Sequence, residues 1–362
     1  LDAYTGQYAP DWAWEVKELS ARLRAGGIGH TFTFSREAIA QAFSRMDTFY
    51  DGDPDPVVEW TYQSIANRCD FILKHKQVDF ADMLYLPIEL DVRLPRYDIG
   101  IIDEAQDTDS FQQLYASRCF ARTVWVGDPN QSIYAFRGAD HSAMQIIHNR
   151  FACLALPLNI TYRCKQAIVD ECNSIYPGLI AHNQDEPGEV IRDGSFGEYV
   201  EQSNCLILCR NNAPLINLAS QMLRDGLPFT ITSDFPAKLA RYIQKLHCKN
   251  ITELRTRAMH ALEHEQKESA IDRWETLLNL TNRYQTIDSL LLGLKSLIGL
   301  KSPRGPLLST VHKAKGLEAE TVVLLRSDLL PSKYAKSDAE LRQERNLHYV
   351  AVSRAKTHFI YS

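Results

Sequence analysis

The chain has 362 residues, a length that suits about two domains of ordinary size. Hydrophobic residues make up 45% and charged residues 23%, with 17 Gly and 15 Pro, and this composition excludes collagen-like and largely disordered proteins. The formal net charge of -5 gives no overall signature of nucleic-acid binding, but basic residues concentrate after residue 300 and can form a local basic groove there.

The apolar runs are all shorter than the roughly 20 residues that cross a bilayer, and the first residues show no secretory signal. We therefore expect a protein of the cytoplasm, nucleoid or nucleus with no membrane partner. The eight cysteines include no C-x-x-C pair, which favours free thiols in a reducing compartment. Cys205 and Cys209 would share one face of a strand, but a metal site there would need two further ligands.

Residues 1–95 show mostly helical periodicity. The apolar spacing predicts helices over Trp12–Leu23, Arg36–Phe43 and Val57–Leu73. After Pro95 the pattern changes to short apolar strands that end in acidic or glycine turns, namely Tyr97–Ile102 and Thr123–Val126. This alternation is typical of a parallel α/β sheet whose function lies at the carboxyl ends of the strands.

A second α/β region follows. Its strand candidates are Ala152–Leu158, Cys205–Cys209, Thr321–Leu325 and His358–Tyr361. Between about residues 237 and 300 the sequence becomes helical and polar, with helices predicted over Leu254–His264 and Ile271–Leu280. This stretch is interpreted as a helical insertion into the second α/β domain.

Two turns carry residues suited to nucleotide chemistry. Asp103 and Glu104 follow directly on the first strand, where one carboxylate can hold Mg²⁺ and the next can orient and deprotonate an attacking water. By itself such a pair is more often a solvated turn. About twenty residues later the second strand ends in Gly127-Asp128-Pro129-Asn130-Gln131, followed by Ser132 to Ala139.

These two segments resemble motifs II and III of the UvrD/Rep-like superfamily 1 DNA helicases. Three later segments resemble motifs IV, V and VI of that family, in the family order: Leu158–Cys164, Thr310–Glu318 and Glu344–Lys356. Val78–Leu84 is similar to the stretch that commonly precedes motif II. The resemblance covers the chain from about Asp79 to its last residue.

The resemblance implies an α/β fold with two RecA-like parallel-sheet domains of the P-loop-NTPase type, the first one truncated, with helical insertions. Residues 1–95 would be a remnant of the first-domain insertion and residues 96–151 the first motor domain. Residues 152–236 and 301–362 would form the second motor domain, and residues 237–300 would be a short helical insertion within it.

The resemblance also assigns roles in ATP hydrolysis, with ATP and Mg²⁺ as cofactors. Asp103 would hold the metal, Glu104 would activate water, and Gln131 would sense the γ-phosphate. Arg163 and Arg354 would neutralise charge on the transferring phosphoryl group, an effect worth on the order of 10³ to 10⁵ in rate. The remaining nucleotide contacts would come from Tyr162 on the adenine, Glu318 on the ribose, and Gly316.

Single-stranded and duplex DNA, together with repair or replication proteins, are the implied partners. The stacking platform would be Tyr134 and Phe136, with Arg137 on a phosphate, and Thr310 and His312 would approach the backbone from the second domain. Base stacking of this kind tolerates any sequence, as a translocating motor requires. The implied activity is ATP-driven 3′ to 5′ movement on single-stranded DNA and duplex unwinding, in repair, recombination or replication.

One family feature is not found. The sequence contains no G-x-x-x-x-G-K-[ST] loop, and the nearest approach, Ala25 to Thr31, has His30 in the lysine position. The expectation is that the chain starts after motifs I, Ia and Ib. A non-hydrolysing DNA-binding or regulatory protein is the alternative, and the helicase part of a helicase–nuclease is a third reading with no support from residues after motif VI.

Overall fold

The structure is a computed structural model that describes residues 12–26, 34–44, 46, 48, 50, 52–133, 143–192, 194, 197, 204–265, 267–302 and 304–362. Contacts along the chain divide it into two compact units, residues 1–155 and residues 156–362, which we call unit 1 and unit 2. Helices long and apolar enough to cross a membrane are not found among the described residues.

Unit 1 opens with helices, as the periodicity predicts. They are α1 (Ala13–Ala25), α2 (Arg36–Ser44), α3 (Pro54–Ala66), α4 (Arg68–His75) and α5 (Phe80–Glu89). The apolar faces of α1, α2 and α3 form one core that includes Val16, Leu19, Ile39, Val57 and Ile65. The single helix predicted over Val57–Leu73 is wrong in one respect: α3 ends before Asn67, whose side-chain amide donates to the Gln63 carbonyl at 3.0 Å. Such a side chain competes with the helical hydrogen bonds and favours a break.

A buried ionic network joins α1 to the start of α5. Arg24 is 3% exposed and pairs with Asp79 and with Asp82, whose side chain is fully buried, and Arg68 also pairs with Asp82. Asp79 and Asp82 also form a capping box that begins α5. Burial alone would raise the pKa of Asp79, but the hydrogen bonds from Arg24 hold it well below its usual range. This arrangement fixes the helices that precede the first strand.

The sheet of unit 1 consists, among the described residues, of β1 (Tyr97–Ile102) and β2 (Phe120–Trp125), paired in parallel. The connection between them is α6 (Ser110–Cys119), and α7 (Ala143–Phe151) comes later in the unit. A Cβ on Gly100 would overlap the ring of Phe120, so this glycine lets the ring lie against β1. Because both strands run the same way, the residues after Ile102 and Trp125 meet at one edge.

Among the described residues, unit 2 contains a six-stranded parallel sheet and a separate pair of short strands. The eight strands of the unit in chain order are β3 (Ile160–Thr161), β4 (Ile180–Ala181), β5 (Glu189–Ile191), β6 (Cys205–Cys209), β7 (Thr230–Ile231), β8 (Leu307–Thr310), β9 (Ala319–Leu324) and β10 (Ala355–Tyr361). The main sheet has the order β5-β10-β9-β6-β8-β7, whereas β3 and β4 form a separate small pair. All five residues of β6 are buried, which explains its uninterrupted apolar sequence.

The helices of unit 2 fall into two groups. Outside the predicted insertion are α8 (Gln166–Ile175), α9 (Asn212–Arg224) and α14 (Asp338–Val352); between β7 and β8 come α10 (Phe235–Lys245), α11 (Ile251–His264), α12 (Glu268–Thr281) and α13 (Ile287–Leu297). The carboxylate of Asp272 on α12 accepts from the backbone N–H groups of Asn212 and Ala213 at the start of α9. The predicted insertion is therefore packed against α9.

The strand predicted over Ala152–Leu158 is wrong. Those residues form no strand in the structure, Leu154, Leu156 and Leu158 are 76–88% exposed, and β3 begins only at Ile160. Alternating apolar residues indicated a strand, but the short partner β4 pairs only with Ile160 and Thr161. The strand predicted at Cys205–Cys209 is confirmed, and the other strand candidates lie within or overlap observed strands.

Candidate functional site

The acidic pair of unit 1 follows directly on β1. Asp103 and Glu104 are both exposed, and Asp103 Oδ1 accepts a hydrogen bond from the backbone N–H of Glu104 at 2.8 Å. Glu104 has a φ of 51°, in the left-handed region that residues other than glycine rarely adopt. This sharp turn leaves both carboxylates at the carboxyl end of the strand, where ligands of parallel α/β sheets bind.

A chain of hydrogen bonds connects this pair to the loop after β2. Gln106 Nε2 donates to Glu104 Oε2 at 2.6 Å, and Gln106 Oε1 accepts from the backbone N–H of Asp128 at 3.0 Å. Asp128 Oδ2 in turn accepts from Gln131 Nε2 at 3.0 Å. Two predicted catalytic residues, Glu104 and Gln131, are thus joined through Gln106 and Asp128. We call these four residues the Gln106 relay.

Sequence reasoning assigned no role to Gln106. It is only 2% exposed, and its side-chain amide uses both its donor and its acceptor within the relay. A polar residue two positions after a catalytic carboxylate was the only sequence signal. Gly127 is part of the same arrangement, because a Cβ there would overlap Gln106 Oε1. A glycine therefore allows the two loops to approach this closely.

The donor set suits Mg²⁺ that arrives with a nucleotide. Among the described residues, His, Cys, Asp and Glu side chains nowhere gather in threes that could hold a metal ion alone. Mg²⁺ commonly takes one or two carboxylates and completes its shell with water and substrate phosphates. The exposed carboxylate of Asp103 fits that role. The cysteines of the described residues are free, and Cys205 and Cys209 are buried in β6 without further ligands.

Residues predicted from motifs IV, V and VI meet within unit 2. Glu318 Oε2 lies 2.6 Å from Arg163 Nε, and Glu318 Oε1 lies 2.9 Å from Lys356 Nζ. We call Arg163, Glu318 and Lys356 the Glu318 cluster. The cations lower the pKa of Glu318, with Lys356 as the largest cause, and Glu318 raises the pKa of Lys356. Lys356 is a residue to which sequence reasoning gave no role, although it ends the motif VI segment.

Arg354 lies next to this cluster but is 2% exposed. Its Nε donates to the Val350 carbonyl at 3.1 Å, and its Nη1 donates to the Leu317 carbonyl at 3.3 Å. Its guanidinium therefore connects the end of α14 to the residue before Glu318. The structure brings the two predicted arginines to the same region of unit 2, with Arg163 half-buried and Arg354 buried.

Tyr162 lies at the end of β3 and is 77% exposed. Its ring lies 4.2 Å from that of His182, with an angle of 34° between the planes. The register explains this contact: Thr161 pairs with Ala181, so the next residue of each strand lies beside the other. The predicted base-stacking residue is therefore one half of an exposed ring pair. Sequence reasoning missed His182, because nothing in the sequence shows which segment pairs with β3.

The remaining predicted contacts of unit 2 lie after β8. Thr310 is buried at the end of that strand, His312 is half-buried, and Gly316 has a φ of 84° with nothing near its would-be Cβ. Lys313, in the same turn, pairs with Asp234. Burial alone would raise the pKa of Asp234, but hydrogen bonds from Lys313 and Lys238 lower it to about 2.

Some predicted residues cannot be placed. Tyr134, Phe136 and Arg137, the expected stacking platform, lie outside the described residues, and so does His30.

Comparison with protein families gives two matches. The model described as UvrD/REP helicase N-terminal domain matches residues 35–152, and the model described as UvrD-like helicase C-terminal domain matches residues 237–362. The first range contains Asp103, Glu104 and Gln131, and the second contains Glu318, Arg354 and Lys356. Tyr162 and Arg163 lie between the two matched ranges.

Comparison with individual proteins agrees. The chain is 31% identical to DNA helicase II of Haemophilus influenzae over 144 residues, covering 36% of this chain and 19% of the relative. It is 28% identical to DNA helicase II of Escherichia coli, covering 47% of this chain and 28% of that protein. It is 26% identical to the ATP-dependent DNA helicase UvrD2 of Mycobacterium bovis, covering 89% of this chain and 56% of that protein. The chain thus spans less than two thirds of each of these relatives.

Proposed function

The chain belongs to the UvrD/Rep family of DNA helicases, and on that basis we propose that it is part of an ATP-driven motor that moves along single-stranded DNA and separates duplex DNA. The proposed direction is 3′ to 5′, and the proposed processes are repair, recombination or replication.

In this proposal unit 1 supplies the water-activating side of hydrolysis. Glu104 accepts the proton of the attacking water, and the hydrogen bond from Gln106 at 2.6 Å holds its carboxylate in place. Gln131 contacts the γ-phosphate, and the relay gives it a fixed connection to Glu104. Mg²⁺, held by Asp103, would neutralise part of the phosphate charge.

Unit 2 supplies the nucleotide contacts and the positive charge. Tyr162 stacks on the adenine, Glu318 binds the ribose, and Gly316 leaves room for the nucleotide. Arg163 and Arg354 face the phosphates. Because Arg354 is buried and bonded to backbone carbonyls, its side chain has to change rotamer to reach a phosphate, whereas Arg163 is already 39% exposed. Arg163 is thus the better placed of the two in this conformation.

Thr310 and His312 are proposed to contact the DNA backbone, and Tyr134, Phe136 and Arg137 to stack on and hold the bases. A half-buried histidine after a strand end can donate to a phosphate. The proposed partners are single-stranded and duplex DNA, with repair or replication proteins.

The observation that supports this proposal most directly is the meeting of Arg163, Glu318 and Arg354. They come from three segments separated by up to 191 positions along the chain, yet Glu318 lies 2.6 Å from Arg163 and Arg354 bonds the carbonyl of Leu317. A single surface salt bridge would contribute little to stability, and it would need only two of these three residues. Their gathering suits a site that binds an anion.

The alternative is a non-hydrolysing DNA-binding or regulatory protein. One observation favours it: the Arg354 guanidinium is bonded to backbone carbonyls. The Gln106 relay argues against it, because an inactive site has no need for a precisely held water-activating carboxylate.

The test is Mg²⁺-dependent ATP hydrolysis by this chain, with and without single-stranded DNA, with Glu104→Gln as the matched variant. Turnover that DNA stimulates and that Glu104→Gln lowers by at least about 100-fold would support the proposal. DNA binding that weakens with salt, without any turnover, would favour the alternative. Absence of both activities would contradict both.

A further inference from the structure

Lys356 shares the carboxylate of Glu318 with Arg163. Lys356 is the second residue of β10, and its Nζ lies 2.9 Å from Glu318 Oε1, whereas Arg163 Nε lies 2.6 Å from Oε2. The three side chains are 33–40% exposed, so all of them can meet a ligand from solvent. Each carboxylate oxygen therefore has its own cation.

This division limits how Arg163 can pair with Glu318. A guanidinium and a carboxylate bind most strongly as a fork, through two parallel contacts. Here Arg163 Nε lies 2.6 Å from Oε2, and Nη1 of Arg163 donates to the Ser353 carbonyl at 3.4 Å. Because Lys356 lies on Oε1, Arg163 meets a carboxylate whose second oxygen already has a cation.

The charges within the cluster favour an anion as the ligand. Arg163 and Lys356 both contact the single carboxylate of Glu318, so the three side chains of the cluster carry one net positive charge. Without Lys356 the charges of Arg163 and Glu318 would balance. A net positive charge on partly exposed side chains attracts a polyphosphate.

We propose that Lys356 is a positioning residue for the nucleotide phosphates: by holding Oε1 of Glu318, it keeps Arg163 from pairing with both carboxylate oxygens and leaves more of the guanidinium available to the phosphates. The proposal rests on the proposed nucleotide binding by unit 2. Lys356 acts through Glu318, so its effect depends on that carboxylate and on the ligand's phosphates, but not on the adenine.

The experiment measures binding of ATP and of adenosine to the full chain by calorimetry. Lys356→Gln is expected to weaken ATP binding about three- to fivefold, the range of a half-exposed ion pair, and to weaken adenosine binding less, because adenosine has the ribose that Glu318 is proposed to bind but no phosphates. Lys356→Arg is expected to retain the wild-type affinity, and Lys356→Glu to weaken ATP binding further. Lys295→Gln, which removes an exposed charge from α13, is the matched control and is expected to change neither affinity.

A double-mutant cycle separates positioning from direct phosphate binding. In a Glu318→Gln background, Lys356→Gln is expected to cause no further loss of ATP affinity. An equal loss in both backgrounds would overturn the proposal in favour of direct contact with phosphate. Unchanged ATP binding by Lys356→Gln would overturn the inference alone, whereas a wild-type chain that does not bind ATP would overturn both the inference and the proposed hydrolysis. Circular dichroism spectra confirm that each variant is folded.

Discussion

The two units carry parallel strands with similar apolar sequences but very different surroundings. In unit 2 all five residues of β6 are buried between neighbouring strands and helices. In unit 1, Ile99 and Ile101 of β1 and Val124 of β2 are 50–74% exposed. An apolar run thus predicts that a strand forms, but not how much of it is covered.

The difference extends to how each unit holds its part of the site. In unit 1 the predicted catalytic residues are connected by the Gln106 relay, a chain of side-chain hydrogen bonds across two loops. In unit 2, Glu318 directly precedes β9 and Lys356 is the second residue of β10, so the main sheet fixes the backbone of these two members of the Glu318 cluster. Substitutions in the two units are therefore expected to affect stability and ligand binding differently.

The largest contrast is expected in the strands. Ile207→Ala in β6 removes a side chain with no exposed surface and should lower the free energy of unfolding by about 2–5 kcal/mol. Ile101→Ala in β1, where the side chain is 74% exposed, should lower it by less than about 1 kcal/mol. Urea unfolding followed by circular dichroism measures both. Equal losses of unfolding free energy in the two variants would show that the Ile101 side chain is buried in solution.

The glycines of the two loops give the next contrast. Gly127→Ala should destabilise unit 1 by about 1–3 kcal/mol, because its Cβ would overlap Gln106 and break the relay. Gly316→Ala meets no neighbouring atom, so its cost of about 1 kcal/mol comes only from the backbone φ of 84°. Thermal unfolding of both variants checks this order. A Gly127→Ala variant as stable as the wild type would mean that the hydrogen bonds of the Gln106 relay do not hold the two loops at this distance.

A smaller effect is expected at the exposed ring pair of unit 2. His182→Ala should leave stability within about 0.5 kcal/mol of the wild type, because both rings are exposed. It should weaken binding of ATP and of adenosine alike, by up to about tenfold, since it removes the ring that stacks beside Tyr162. Calorimetry with both ligands measures this. Weaker binding of ATP with unchanged binding of adenosine would indicate that His182 contacts the phosphates instead.

The smallest effect concerns acid stability. The pKa of Asp234 is lowered to about 2, so its ion pairs stabilise the fold above about pH 4 and are lost as the pH falls towards 2. Asp234→Asn should therefore be less stable than the wild type at pH 6, by under about 1 kcal/mol because the group is half exposed, with the difference closing near pH 2. Urea unfolding at a series of pH values tests this. A difference that grows at low pH would contradict the assignment.

Much of the fold could be predicted from local pattern. The strands at Tyr97–Ile102 and Cys205–Cys209 follow from short apolar runs bounded by turns, and both have the predicted limits. The periodicity predicted helices at α1, α2 and α3, but it joined α4 to α3 and did not predict α5 as a separate helix. The strand predicted over Ala152–Leu158 failed because its sequence alternates like a strand, whereas pairing with β4 begins only at Ile160.

The site was predictable where a role lies in a residue type within a motif, and not where it depends on a partner. Asp103 and Glu104 are recognisable from their place after a strand. Gln106, His182 and Lys356 became visible only through the side chains they contact. No spacing rule links Lys356 to Glu318, because the distance between them is set by the pairing of β9 with β10.

The sequence by itself determined the family motifs, five of the ten described strands and the identity of the acids and arginines, because these depend on residues near one another in the chain. Only the tertiary structure decided which strands are buried, that Arg354 is enclosed while Arg163 is half exposed, and that Glu318 divides its carboxylate between two cations. Burial and ion pairing depend on neighbours in space, and those neighbours come from segments far apart in the chain.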